Sequence, residues 1–328
     1  MALEPRVEIV ADDALLPRMR WPADFSGDPD RRRTPQQQQA FEELLDSADA
    51  LYGIPDLDPG ALARTVRANP RLRWVHTMAA GGGAQVAAAG LDAAELDRVV
   101  FTTSAGVHGG PLAEFALFGV LAGAKHLPRL LDQQRRREWS GRWAMDRVEG
   151  STVLVLGLGG IGRVVAARLA ALGVTVIGTS RSGAGTPDTT RVVSPDQLAE
   201  VAGSVDAVVN TLPGTTATVG LLGSEVLGAL RPGATVVNVG RGSVVDEAAL
   251  LAALDSGRVG FAALDVFAVE PLPEHSPLWH HERVLVSPHT AALDPGEERR
   301  IAELFAGNAT RLLDGDDLLN RVDTVEFY

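Results

Sequence analysis

At 328 residues the chain is roughly twice the length of a common domain, so two domains are expected. Hydrophobic residues at 45% and charged residues at 22% are an ordinary globular balance and exclude a disordered or fibrous chain. Lys+Arg 30 against Asp+Glu 42 leaves a net charge of −12, which argues against nucleic acid or an anionic membrane as the partner. There is no cysteine, which removes disulfides, thiolate nucleophiles and Cys-ligated metals and suits a reducing cytoplasm. Residues 1–6 lack the apolar stretch of a signal peptide. The apolar runs Val153–Ile161 and Phe115–Ala124 are far shorter than the ~20 residues a membrane-spanning helix needs, so a soluble protein is expected.

In chain order, Val7–Val10 reads as a first strand. Residues 11–40 break any rhythm, with Pro17, Pro22, Pro29 and Pro35, the run Arg31–Arg33 and the run Gln36–Gln39. A polar surface loop entering a helix at Gln36–Leu45 is expected there. Strands follow at Ala50–Tyr52, Trp74–Met78 and Val99–Thr102, with helices at Pro59–Ala68 and Ala93–Leu96. Pro111 starts a helix over Leu112–Lys125 that is apolar around most of its circumference, which predicts burial against the body or a second subunit. From residue 150 the alternation sharpens. Val153–Leu156, Val174–Ile177, Ala207–Asn210, Thr235–Val239, Ala262–Val266 and Val284–Val286 are compact apolar runs, as strands buried on both faces of a parallel sheet require. Helices Ile161–Leu172 and Glu247–Leu254 lie between them, the second stopped by Gly257. This rhythm predicts an α/β chain of doubly wound parallel sheets.

The most informative stretch is Ser151–Gly162, which places Gly157-x-Gly159-x-x-Gly162 directly after a strand and at the start of a helix. A lone glycine pattern is weak; the flanking strand, helix and second strand supply the βαβ setting that turns it into a dinucleotide loop. Gly157 permits the tight turn, Gly159 lets backbone approach a pyrophosphate, and Gly162 allows close helix–strand contact. The phosphates are then expected at the positive end of the helix. Where NAD sites carry a carboxylate for the ribose 2′-OH, the chain reads Gly178-Thr179-Ser180-Arg181-Ser182. Ser180 and Arg181 suit a 2′-phosphate, so NADP is expected over NAD.

Three polar residues follow later strands, at the edge where open α/β sheets bind ligands. Arg241 follows Val236–Gly240, Glu270 follows Asp265–Phe267, and His289 follows Val284–Val286 in Ser287-Pro288-His289. Each alone would ordinarily be a solvated loop residue. Together, after a dinucleotide loop, they are the set that hydride transfer to a 2-keto acid needs: a cation for carboxylate and carbonyl, an acid/base for the alcohol proton, and a carboxylate to orient the imidazole.

At this point the chain resembles the D-isomer-specific 2-hydroxyacid dehydrogenase family, in its glyoxylate/hydroxypyruvate reductase-like branch. The matching stretches are GLGGIG (157–162), NTLPGTTATVGLL (210–222), RPGATVVNVGRGSVVDEAAL (231–250), ALDVFAVEPLPEHSPLW (263–279) and VLVSPHTAA (284–292), with LRWVHTMAAGGG (72–83) and GVHGGPLAEFAL (106–117) upstream. The resemblance implies a Rossmann-type dinucleotide-binding domain over 106–290. A flavodoxin-like substrate-binding domain would be made of 1–105 and 291–328, with a cleft between the two that closes about the two crossings. It implies that Arg241 binds the substrate carboxylate and keto oxygen, that His289 is the proton donor with Glu270 as its partner, and that backbone N–H groups of Ala80, Gly81 and Gly82 hold the carboxylate. Asp265 would hold the nicotinamide carboxamide, and Gly160, Ile161, Leu212, Pro213, Thr218, Val239 and Gly240 would line the cofactor. A homodimer is implied, in which Trp139 or Trp143 either packs on its own helix or reaches a neighbouring site. The chain departs from the family pattern at Gly83, where Asp is usual, and at Gly214, Thr216 and Ala217, where Leu, Pro and Glu are usual; a looser turn over 212–217 is expected.

Two rival readings remain at this stage. A formate-dehydrogenase-like enzyme would carry Gln at the position of Glu270. A nicotinamide-sensing binding protein of the corepressor type would keep the same three residues yet turn nothing over. His275, His280 and His281 cluster without metal-ligand spacing and read as a polar loop.

Overall fold

In the computed structural model, residues 4–20, 24, 27–28, 30–181, 183–325 and 327 are described; Pro22, Pro29 and Ser182 lie outside them. The chain divides into two compact units, one running to His108 and resuming at Leu293, the other spanning Gly109–Ala292. These joins fall two or three residues beyond the 105/106 and 290/291 divisions expected from sequence.

In the first unit, β1 (Ala50–Tyr52), β2 (Trp74–Thr77) and β3 (Val100–Thr103) form a parallel sheet in the order β1-β2-β3. Successive residues of a strand face opposite sides. Val75 and Phe101 therefore meet Leu62 and Val66 of the helix Pro59–Ala68. Trp74 meets the helix Glu297–Asp314, stacked on Phe305 at 4.4 Å. Helices thus cover both faces. The expected strand Val7–Val10 does not form: Ile9 and Val10 are 83% and 66% exposed, and among the described residues nothing pairs them into the sheet. The loop before the helix Pro35–Ser47 is anchored rather than merely solvated, because Arg33 forks Asp56 at 2.8 Å and lies 3.7 Å over the Phe41 ring.

The second unit holds β4 (Thr152–Leu156), β5 (Thr175–Thr179), β6 (Arg191–Val193), β7 (Ala207–Asn210), β8 (Ala234–Asn238), β9 (Val259–Leu264) and β10 (Val284–Val286). All are parallel, in the order β10-β9-β8-β7-β4-β5-β6. Strand order reverses between β4 and β7, the switch point at which such sheets open a crevice. Val153, Val155, Val209 and Val237 pack under the helices Gly109–Ala124 and Gly160–Ala171, while Leu154, Leu156, Val208 and Val236 face the opposite layer. The edge strand β6 was not expected; its Arg-Val-Val is too short to carry an apolar signature. The helix Gly109–Ala124 is buried along one side, but Phe118 and Leu121 are 45% and 38% exposed in the single chain. Among the described residues, no helix is long and apolar enough to cross a membrane.

Candidate active site

The glycine loop leaves β4 in the conformation its spacing requires. Gly157 has φ 88°, and a Cβ on Gly162 would lie 1.8 Å from the Gly157 carbonyl oxygen, so helix and loop touch through backbone alone. A Cβ on Gly159 would meet nothing within 4 Å. The helix Gly160–Ala171 that it caps has no side-chain cap, so its first-turn N–H groups, those of Gly160, Ile161 and Gly162 among them, have neither an intrahelical acceptor nor a capping side chain. This is a cradle for a pyrophosphate. Two hydroxyls not singled out from sequence hold it: Thr179 accepts from the Gly157 N–H at 2.8 Å, and Thr211 donates to the Leu156 and Gly157 carbonyls at 2.9 and 2.8 Å. Their only sequence signal is a hydroxyl at a strand's carboxyl end. Ser180 is half-buried and Arg181 exposed immediately after β5.

Register then aligns the other strand ends. Asn210 pairs with Asn238, Asn238 with Leu264, and Leu264 with Val286, so Thr211, Val239, Asp265 and Ser287 form the next row along one edge. Arg241 lies two residues beyond Val239, exposed, with Nη1 donating to the Gly240 carbonyl at 2.8 Å. Its loop is wedged between neighbours. A Cβ on Gly240 would lie 2.6 Å from the Leu212 carbonyl oxygen, and one on Gly242 would lie 1.8 Å from the Phe267 carbonyl carbon. Gly214 faces Arg241 and Ser243, with a Cβ there 2.7 Å from the Ser243 hydroxyl. Thr218 ties the 212–217 turn, donating to the Pro213 carbonyl at 2.6 Å and accepting from the Thr215 N–H at 2.9 Å.

Glu270 and His289 come together directly. Glu270 Oε1 accepts from the Phe267 N–H at 2.9 Å and Oε2 meets His289 Nδ1 at 2.7 Å. A carboxylate only accepts, so Nδ1 carries the proton and Nε2 is the nitrogen left for exchange. His289 sits at φ 52°, a conformation costly for a residue with a Cβ, and is held there by its N–H bonds to the Asp265 and Ser287 carbonyls at 2.9 and 3.0 Å. Asp265, fully buried, secures the same loop: Oδ1 accepts from the Ser287 hydroxyl at 2.5 Å and from the Thr290 and Ala291 N–H groups at 2.9 and 3.0 Å. Its Oδ2 is buried with no partner among the described residues. A buried acceptor left open calls for a donor, and a carboxamide N–H supplies one. With the open face at Gly159, this oxygen makes the edge fit a nicotinamide dinucleotide.

In the first unit, Ala80 and Gly81 lie exposed on the turn after β2. Gly82 is buried, and its N–H turns inward to the Ala79 carbonyl at 3.3 Å, so of the three backbone N–H groups implied for a carboxylate, that of Gly82 is already engaged. Trp143 packs against His126 and beneath Arg129, whereas Trp139 is fully exposed rather than packed on the helix Leu127–Arg136. Among the described residues no cluster of three or more His, Asp or Glu side chains is arranged to hold a metal; His281 accepts from the Arg283 N–H at 3.1 Å.

Residues 117–291 match the family described as D-isomer specific 2-hydroxyacid dehydrogenase, NAD binding domain. Glyoxylate/hydroxypyruvate reductase A of Salmonella dublin is 34% identical over 263 residues, 80% of this chain and 83% of that protein. The same-named protein of Salmonella choleraesuis is 40% identical over 180 residues, a match that spans 55% of this chain and only 57% of that relative's length. Among solved structures, a D-isomer specific 2-hydroxyacid dehydrogenase from Xanthobacter autotrophicus, in complex with NADPH and MES, superposes with a TM-score of 0.74 at 36% identity over 87% of this chain and 86% of that one. The NADPH-dependent glyoxylate/hydroxypyruvate reductase of Sinorhizobium meliloti, in complex with NADP and sulfate, gives 0.75 at 26% identity over 90% of each chain. A dinucleotide cradle, an open carboxylate oxygen and an Arg, Glu and His at neighbouring strand ends thus agree with these relationships: the chain belongs to the D-isomer-specific 2-hydroxyacid dehydrogenase family of NAD(P)-dependent oxidoreductases.

Proposed function

We propose that this protein reduces a small 2-keto acid of the glyoxylate/hydroxypyruvate type to the D-2-hydroxy acid, with NADPH favoured over NADH. The observation that carries the reading is the His289–Glu270 contact of 2.7 Å in the loops beside Arg241. A bound nicotinamide supplies the hydride. Arg241 would fork the substrate carboxylate and polarise the keto oxygen with its planar guanidinium. His289 Nε2 would give its proton to that oxygen as it becomes an alcohol, while Glu270 keeps the ring turned by holding Nδ1–H. Asp265 Oδ2 would accept from the carboxamide and so fix which face of the ring is presented. The absence of a carboxylate at 180 and the cation at 181 support NADPH, as do the NADPH and NADP bound in the Xanthobacter and Sinorhizobium relatives.

A cytoplasmic homodimer completes the proposal: Phe118 and Leu121 on the otherwise apolar helix Gly109–Ala124 are the surface a second copy would cover. Steady-state turnover of glyoxylate and hydroxypyruvate with NADPH tests the activity. Cofactor binding without turnover of either acid would favour a nicotinamide-sensing protein instead.

A further inference from the structure

Two buried asparagines stand at the centre of this edge and belong to no step above. Asn210 ends β7 and Asn238 ends β8, opposite one another in register, at 0% and 1% exposure. Their amides can adopt only one orientation, because backbone N–H groups donate and never accept. Asn210 Oδ1 takes the Leu212 N–H at 3.1 Å, and Asn238 Oδ1 takes the Gly240 N–H at 3.1 Å. The nitrogens are thereby aimed elsewhere: Asn210 Nδ2 donates to Asn238 Oδ1 at 2.8 Å, and Asn238 Nδ2 donates to the Arg241 carbonyl at 3.2 Å. One amide pair therefore ties the Leu212–Pro213 turn to the Gly240–Arg241 turn, whose backbones already touch where a Cβ on Gly240 would meet Leu212.

Apolar packing of the sheet does not rest on this pair. The residues preceding it, Val208 and Val209 on one strand and Val236 and Val237 on the other, are fully buried hydrophobics. Replacing both amides by apolar groups would remove their mutual hydrogen bond but leave the Leu212 N–H, the Gly240 N–H and the Arg241 carbonyl without their side-chain partners, at a cost in stability. What the amides add is direction, since they fix the main chain of Arg241 while leaving its guanidinium exposed.

We propose that Asn210 and Asn238 are a positioning pair that sets the Arg241 backbone against the Leu212–Pro213 turn, so that the substrate's carboxylate is received in one register relative to the nicotinamide. This rests on the reading of Arg241 as the substrate cation. The test is the double variant Asn210→Leu/Asn238→Leu beside Asn238→Asp and Arg241→Lys, measured by thermal unfolding, NADPH affinity from fluorescence, and kinetics with hydroxypyruvate. The double variant is expected to unfold cooperatively at a lowered temperature, because three backbone groups lose their side-chain partners, and to lose at least ~10-fold in kcat/KM with NADPH still bound, the scale of one misplaced hydrogen-bonding group. A folded double variant with wild-type kcat/KM overturns the proposal. Asn238→Asp keeps the acceptor for the Gly240 N–H, puts an oxygen of a new carboxyl group where the donor to the Arg241 carbonyl was, and leaves that carbonyl only the longer 3.5 Å contact from Asn210 Nδ2. It is expected to raise KM for the keto acid with NADPH affinity held, and it decides the matter if the double variant does not fold; an unchanged KM overturns the proposal. Arg241→Lys separates the two readings. If it leaves kcat/KM unmoved, the assignment of Arg241 falls and the positioning role with it. If it alone is impaired, only the positioning role falls.

Discussion

Both units bury polar clusters beside a parallel sheet, but the clusters close differently. In the three-stranded sheet, Trp74 Nε1 donates to Thr102 Oγ1 at 2.8 Å, Thr102 meets His76 Nδ1 at 2.8 Å, His76 Nε2 meets Ser104 Oγ at 3.1 Å, and Ser104 donates to the Thr77 carbonyl at 3.1 Å. One tautomer satisfies every member: Thr102 donates to Nδ1, and Nε2–H donates to Ser104. At the edge of the seven-stranded sheet, Asp265 Oδ2 has no partner and His289 presents Nε2 from a half-exposed ring. A closed polar chain can only hold its own backbone, whereas an open one still has a valence for a ligand. The His76 cluster is buried and satisfied, whereas the edge of the large sheet combines an exposed imidazole with a buried carboxylate oxygen that is open among the described residues.

The comparison breaks first at His289. His289→Asn should cost about 10²–10⁴ in kcat, the range of general acid–base catalysis, with the unfolding temperature and NADPH affinity near wild type. Turnover close to wild type would move the proton donor elsewhere. The closed cluster should answer to pH instead. Burial pushes the His76 pKa down from 6.5 to about 4. Between those values the unfolded chain binds a proton that the folded chain refuses, so stability is full above about 6.5 and drains away as the pH falls toward 4, by up to about 3 kcal/mol. Urea unfolding at pH 7 and pH 4.5 should show this loss in wild type and a smaller one in His76→Gln; an equal acid loss in both would place the effect on other groups.

Arg181→Ala probes the far end of the open edge. It should remove about tenfold to a hundredfold of the NADPH advantage in kcat/KM and leave NADH use nearly unchanged, as expected for one charge-assisted pair to a 2′-phosphate. A wild-type enzyme that uses both cofactors equally would show that Ser180-Arg181 selects neither. The smallest effect belongs to Ser104→Ala, which strips the acceptor from His76 Nε2–H and the donor from the Thr77 carbonyl. A loss of about 1–2 kcal/mol in stability with kcat held marks a structural cluster; a fall in kcat at unchanged stability would make it part of the active apparatus.

The central strands of the large sheet were legible because a strand buried on both faces must be apolar throughout, and Ala207–Asn210 has the bounds that pattern predicts; Val284–Val286 has its predicted bounds too, although as the edge strand it is only half-buried. Val7–Val10, three β-branched residues around Glu8, has strand propensity yet joins no sheet among the described residues, and propensity cannot say whether a neighbouring strand is there to pair with it. Arg241, Glu270 and His289 were legible as charges where open sheets bind ligands. Asn210 and Asn238 were printed beside them, yet an amide ending a valine run looks the same whether it caps the strand or crosses to its neighbour.

Sequence alone therefore determined the α/β rhythm, the glycine loop and the three polar strand ends, since each is a local property of spacing and side-chain chemistry. Tertiary structure decided what depends on register: that Asn210 lies against Asn238, that Asp265 spends one oxygen on the His289 loop and keeps the other open, and that Gly240 and Gly242 let three loops nest through their backbones. Hydrogen bonds are directional over a few ångströms, and no spacing along the chain encodes which donor will face which acceptor across neighbouring strands.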